Sequence, residues 1–512
     1  MALRKTDVGT ARAQLGSGIF TVELIVEWRP REQRRISIFL PPLRSVGIDT
    51  PPVPDDEHDW ASHIGALCRR FPESTSGFPR CVIDNAIAAP LHRDVKWRNQ
   101  LIALFCLLVF AGVGVLYFQH WVVQKPFGII LMIGEGLGPE RLAATRVYLG
   151  GADSHLALDA MPHLALVTNS SKDFAVPDQA AAATALATGA KVNNRLIALN
   201  NEKPIASIVD LARQHGRAVG LVTNASLTNA TCAAFYAHAK DANDQESLAA
   251  QLADGAKIDI ALGGGSSAFL PETKNGQRTD GRDLLLELRG NGFDLVSSRA
   301  DLDGIPAWKS PKLFGIFGSG DLAFANRLEQ WSEQPSLADM VRRAIELLQY
   351  NPRGYLLVVD AGLMRKVAEQ NDSEGIFSEM KELDRALATV QRYAGARSLT
   401  IVCGDVAIGG MSLNGFPFRK DSGLALLGLN SAGQPWITWA SGPKGNRSFG
   451  SPKAENSVSE NSKVENEPAA FYSKSALNTV EDVVALGSGP ESERLNGIID
   501  NTQIFVLLRD GL

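Results

Sequence analysis

Histidine is scarce in this chain and confined to one side of it. Eight histidines occur among 512 residues, and none follows His238. More than half of the sequence therefore lacks the most frequent metal-binding side chain of proteins. Cysteine is sparse too: five are scattered along the chain, which excludes a small disulfide scaffold. Basic excess is missing. The formal net charge of −5 gives no nucleic-acid footprint, so no nucleic-acid partner is expected. No internal repeat is found. What is present is ordinary globular composition, 45% hydrophobic and 21% charged, which excludes wholesale disorder. At about 100–200 residues per domain, the length allows two to four domains or one large α/β unit.

One long run without charge breaks the pattern. It is LIALFCLLVFAGVGVLYF, bounded by Leu101 and Phe118. Eighteen such residues are about enough to span a bilayer core as a helix. Arg93, Lys96 and Arg98 precede the run, and Lys125 is the nearest base after it. Positive-inside logic keeps the N-terminus cytoplasmic and exports the rest. No A-x-A site follows, so a retained single-pass anchor is expected rather than a cleaved signal, with the C-terminal domain periplasmic or extracellular. Cys106 lacks the small residue that precedes a lipid-modified cysteine. Residues 1–94 are Arg-rich with proline clusters and read as a disordered extension. A start at Val95 would leave VKWRNQ as a compact charged region before the apolar run. The expected division is thus extension 1–94, anchor 95–123 and one domain 124–512.

That last part alternates strand and helix patterns. FGIILMI, residues 127–133, is an apolar run of strand length ending in Gly134-Glu135-Gly136. Its glycines do not fit G-x-G-x-x-G, so no dinucleotide fingerprint is supported. Further strands are predicted at 218–223, 258–262, 313–317, 355–359 and 399–402. Asp178 caps an alanine-rich helix that stops at Gly189. In residues 335–350, Leu337, Met340, Val341, Ala344, Leu347 and Leu348 share one face. In residues 377–393, Met380, Leu383, Leu387 and Val390 do the same. Alternation of this kind implies a largely parallel sheet covered on both faces. Residues 445–469, rich in Ser, Asn, Lys and Glu, read as a solvated loop. Asp153, His155, Asp159 and His163 lack metal spacing and read as solvated surface. Unpaired Cys232 and Cys403 read as small buried hydrophobes.

The order of these motifs resembles the alkaline phosphatase family. IILMIGEGLG looks like that family's strand-plus-GDG opening, and VPDQAAAATALATGAK like its nucleophile segment. GLVTNASLTNATCAAFYAHAKD is similar to its T-x-A-x-x-T-H-A-T-P-A-A-F-Y-A-H run. IDIALGGG, GYLLVVDAG, LTIVCGD and GIIDNTQIF complete the series. The resemblance implies an α/β/α sandwich around a large mixed, mostly parallel sheet, preceded here by one transmembrane helix. It also implies two zinc ions, one magnesium ion and a serine nucleophile.

Several positions depart from that pattern. Gln179, after a matching Asp178, stands at the nucleophile position, and a carboxamide has no usable nucleophilic lone pair. It is expected to be an ordinary first-turn helix residue. At the first zinc site stand Arg365, Glu369 and Asn478. Arg365 is permanently cationic, and Arg365 and Glu369 are expected to pair at i, i+4. At the second zinc site Glu135 and Asp405 keep carboxylates, but Val406 replaces a histidine. The phosphate-holding arginine falls near Ala242, with no arginine close in sequence. The magnesium positions, Glu135, Thr231 and Asp360, keep oxygen chemistry.

Magnesium is thus the metal the retained ligands allow, and zinc is not expected. Three functions follow as expectations. The first is a membrane-anchored pseudophosphatase with a binding or assembly role, its catalytic residues lost. The second is an active metal-dependent phosphomonoesterase on an oxygen-rich set of Glu135, Asp178, Asp360, Glu369 and Asp405. The third is a structural subunit paired with an intact phosphatase. A homodimer, or a heterodimer with a related phosphatase, is the expected assembly.

Overall fold

The computed structural model describes residues 6–15, 18–27, 37–38, 95–117, 127–255, 257–306, 312–415, 419–421, 423–445 and 467–512. Most of the N-terminal extension and of the loop expected at 445–469 lies outside them. The chain divides into two units, Met1–Trp97 and Arg98–Leu512.

In the first unit, Thr6–Leu15 and Gly18–Glu27 form an antiparallel hairpin, with Ser37–Ile38 added to the second strand. The second strand, GIFTVELIVE, is rich in β-branched residues, which suit a pleated surface. These strands fall within the stretch expected to be disordered.

The apolar run lies on the helix Val95–Tyr117. Leu101, Ile102, Phe105, Leu108 and Phe110 on it are about half exposed or more. Among the described residues, no helix is both long and apolar enough to cross a membrane. The spanning helix expected at this run is therefore not found among the described residues.

The large unit is built on ten strands. In chain order these are β1 Gly128–Gly134, β2 His163–Thr168, β3 Ala218–Ser226, β4 Ile260–Gly264, β5 Asp294–Val296, β6 Leu313–Ile316, β7 Tyr355–Ala361, β8 Leu399–Gly404, β9 Val483–Ser488 and β10 Asn496–Asp500. They lie in the order β5-β6-β4-β3-β7-β1-β8-β9-β2-β10. Only β9 runs antiparallel to its neighbours, β8 and β2. The sheet is mixed and mostly parallel, as expected. The edge formed by β2, β9 and β10 was not predicted from period: β2 and β10 are half exposed and lack continuous apolar runs, whereas β9 is buried but short.

The central strands are buried on both faces. Along β1, Ile129, Leu131 and Ile133 enter one core, while Ile130 and Met132 enter the other. Five helices matter below: α1 Gln179–Thr188, α2 Ala230–Ala233, α3 Leu337–Leu348, α4 Leu363–Glu369 and α5 Ser373–Tyr393. A reciprocal Ser336–Asp339 capping box starts α3. Every residue of the apolar faces expected on α3 and α5 is buried. Full burial of one such side chain stabilises by about 1.5–3 kcal/mol.

Candidate functional site

Register places three acids on adjacent strand ends. Glu135 follows β1, Asp405 follows β8, and Asp360 is the penultimate residue of β7. Asp360 is level with Ile133 on one side and Thr223 on the other, and Gly404 is level with Gly134. All three acids are buried. This is the carboxyl-end crevice where open α/β sheets bind ligands. Gly136 lets the chain turn at once after Glu135, at φ +78°, a conformation that glycine adopts without strain.

Two helix starts close over the acids. Asp178 caps α1 by accepting the Ala181 N–H at 2.8 Å, which aims Gln179 inward. Asn229 precedes α2, and Thr231 lies within it. Glu135 Oε1 accepts three hydrogen bonds: Gln179 Nε2 at 2.6 Å, Thr231 Oγ1 at 2.6 Å and Asn229 Nδ2 at 2.9 Å. Gln179 Nε2 also donates to Thr231 Oγ1 at 2.9 Å and Asn229 Oδ1 at 3.0 Å. Gln179 is therefore not the ordinary first-turn residue expected from sequence: its carboxamide is bound into the centre. Asn229 was missed as well. The signal was available, because it stands two residues before Thr231 in the same run.

The other acids are held less completely. Asp360 Oδ2 accepts from Thr223 Oγ1 at 2.8 Å and from the Cys232 thiol at 3.5 Å. Asp405 Oδ1 accepts the Gly136 N–H at 2.8 Å. Glu135 Oε2, Asp360 Oδ1 and Asp405 Oδ2 are buried with no hydrogen-bond partner, as is Arg365 Nη1. Burial pushes the Glu135 carboxyl well above the usual range, and Asp360 and Asp405 push it further. Asp360 is pushed up to about 7, chiefly by burial, with its Thr223 hydrogen bond opposing. Burial also raises Asp405, against the nearby Arg365 charge and the Gly136 N–H. Three carboxyls sharing so little solvent do not all ionise without matching positive charge.

Arg365 supplies such charge, beside a second buried cation, Arg141, that interacts with Asp405. As expected, Arg365 Nε pairs with Glu369 Oε1 at 2.9 Å across one turn of α4. Its Nη2 donates to Asn478 Oδ1 at 2.9 Å, and Asn478 Nδ2 donates to the Pro177 carbonyl at 2.8 Å. The three residues expected from the resemblance at one zinc site are thus cross-linked to one another and to the segment before Gln179. Val406 is fully buried and offers no ligand. Zinc takes N, S or O donors, and a guanidinium supplies none. These residues do not fit zinc. Among the described residues, no group of three or more His, Cys, Asp or Glu is arranged to hold a metal.

No arginine is near Ala242 in sequence, but the fold brings Arg195 there. The Arg195 carbonyl accepts the Ala242 N–H at 3.0 Å. Its guanidinium pairs with Asp241 at 3.3 Å, and its N–H reaches Asp178 Oδ2 at 2.5 Å. Cys232 and Cys403 are free and buried, with thiols raised by burial. Asp153 and Asp159 make surface ion pairs with Lys420 and Arg146, apart from the centre.

Comparison with known proteins matches this chain to one family. Residues 128–511 match the family model described as alkaline phosphatase. The chain is 28% identical to the tissue-nonspecific alkaline phosphatase of Gallus gallus over 443 residues, 75% of this chain and 84% of that one. It is 31% identical to alkaline phosphatase 4 of Bacillus subtilis over 299 residues, 56% of this chain and 62% of the relative's length. Among solved structures, Thermus thermophilus alkaline phosphatase superposes with a TM-score of 0.60 at 23% identity, covering 76% of this chain and 92% of that one. A variant of the enzyme from the Antarctic bacterium TAB5 is described with Mg bound in its M3 site; it gives a TM-score of 0.58 at 22% identity, covering 76% of this chain and 98% of that one. The chain belongs to the alkaline phosphatase family.

Proposed function

We propose that this protein is a membrane-anchored family member that does not hydrolyse phosphate monoesters and serves a binding or assembly role. The observation that carries the reading is Gln179. Its amide nitrogen, at the nucleophile position, is committed to Glu135, Thr231 and Asn229. An amide so placed forms no phosphoryl intermediate. Arg365 at a zinc position supports the same reading. In concerted sites the loss of one member can cost as much as the loss of all, roughly a millionfold. The oxygen-rich hydrolase alternative loses two of its members to other tasks, because Asp178 caps α1 and Glu369 pairs with Arg365. The 18-residue run and its exposed side chains support the anchor, with the large unit outside the cytoplasm. A second copy, or an intact phosphatase, is the proposed partner.

The test is hydrolysis of p-nitrophenyl phosphate by the full chain in detergent, across pH, with added Zn²⁺, Mg²⁺ or Mn²⁺. No turnover above buffer is expected. Turnover that disappears in an Asp405→Ala variant overturns the reading. Co-purification with an active phosphatase identifies the assembly role.

A further inference from the structure

We infer that the Gln179 carboxamide is a built-in plug, seated where a hard divalent cation would otherwise sit among Glu135, Thr231 and Asn229. The inference deepens the reading above and rests on the same centre. Its first support is convergence: three side-chain oxygens from two segments, Glu135 after β1 and Thr231 and Asn229 at the start of α2, lie 2.6, 2.9 and 3.0 Å from one nitrogen. A carboxamide carries two N–H bonds, so three acceptors around it exceed what it can satisfy with straight bonds. Such convergence suits a spherical ion better than an amide. Its second support is the set of oxygens left over. Apart from a carboxyl–carboxylate contact between Glu135 and Asp360, Glu135 Oε2, Asp360 Oδ1 and Asp405 Oδ2 are buried without a partner. Buried oxygens of native proteins are rarely left so unless something else meets them. Here Arg365 supplies one positive charge, and the plug supplies neutral donors. The family's metal set and this chain's residues therefore disagree for a definite reason: the cation seat is occupied by protein.

The dimensions sharpen the expectation. Mg²⁺ binds oxygen at about 2.0–2.1 Å and Ca²⁺ at about 2.3–2.6 Å. The present seat is wider than either, and removing the plug lets it contract. Its ligands would be Glu135, Thr231 and Asn229, with water filling the remainder.

The experiment uses the full chain in detergent and its Gln179→Ala and Gln179→Ser variants. Each is dialysed against Mg²⁺, Mn²⁺ or Ca²⁺ alone and analysed for bound metal, for Tm with and without EDTA, and for the Mn²⁺ resonance spectrum. For the parent, no stoichiometric metal and an EDTA-insensitive Tm are expected. For the variants, about one bound cation and a Tm that rises with cation concentration are expected, since a ligand that binds only the folded state stabilises it by mass action. The serine variant keeps the test open should the alanine variant fail to fold. A parent that retains a cation through dialysis and loses Tm in EDTA overturns the plug, as do folded variants that bind none. The phosphatase assay on the same samples separates the two ideas. A metal-loaded parent without turnover overturns the plug alone, whereas turnover by the parent overturns the non-catalytic reading.

Discussion

Arg365 and Gln179, proposed to stand in place of a metal ligand and of the nucleophile, are each held by several partners. Arg365 is 12% exposed at its side chain and Glu369 25%, so their ion pair is partly screened. Its larger role is to face Asp405 and Glu135, whose raised carboxyls it opposes. Arg365→Ala removes one of two counter-charges from those acids, leaving Arg141, and leaves Asn478 without its donor. We expect a loss of about 1–3 kcal/mol, below the range for breaking a fully buried pair. A urea midpoint equal to the parent's would remove the charge-matching role. The i, i+4 spacing made the Arg365–Glu369 pair legible in sequence. The Gln179–Glu135 bond was not legible, because 44 residues separate the partners and only strand register and an inward-facing helix start bring them together.

Among the elements, α5 ties the core to the site. Glu379 on its inner face accepts the Ala325 N–H at 2.7 Å and Asn224 Nδ2 at 3.1 Å. Asn224 Oδ1 in turn accepts the Leu363 N–H at 3.2 Å, at the start of the helix that carries Arg365. Burial pushes Glu379 from 4.5 up to about 8, against those hydrogen bonds. An acid whose folded pKa is raised binds more protons folded than unfolded between those two values, so its contribution to stability is lost as pH rises through that window. The slope is at most about 1.4 kcal/mol per pH unit. Denaturant midpoints of the parent should therefore fall from pH 5 to pH 8 more steeply than those of Glu379→Gln, which has no proton to lose. Parallel curves would mean that Glu379 does not change charge in that range. The apolar faces of α3 and α5 were readable from their period, but the role of Glu379 was not. Nothing in a helical pattern distinguishes a buried glutamate from a solvated one.

For the molecule as a whole, the proposal of an anchor makes a direct prediction. The full chain should sediment with lipid vesicles and resist alkaline carbonate, while a chain beginning at residue 124 should remain in the supernatant. Release of the full chain by carbonate would reduce the run to a peripheral contact. The apolar run of β1 and the order of motifs along the chain sufficed to identify the sheet and the family. These are local properties, recorded in consecutive residues. The absence of histidine after His238 likewise settled, before any fold was known, that this half offers no imidazole to a metal. Tertiary structure alone decided what fills the space. It placed Arg195 beside Ala242, closed Asn229 and Thr231 over Glu135, and turned the Gln179 amide into that cluster. Each of these depends on where distant backbone segments meet, and a list of residues carries no such distances.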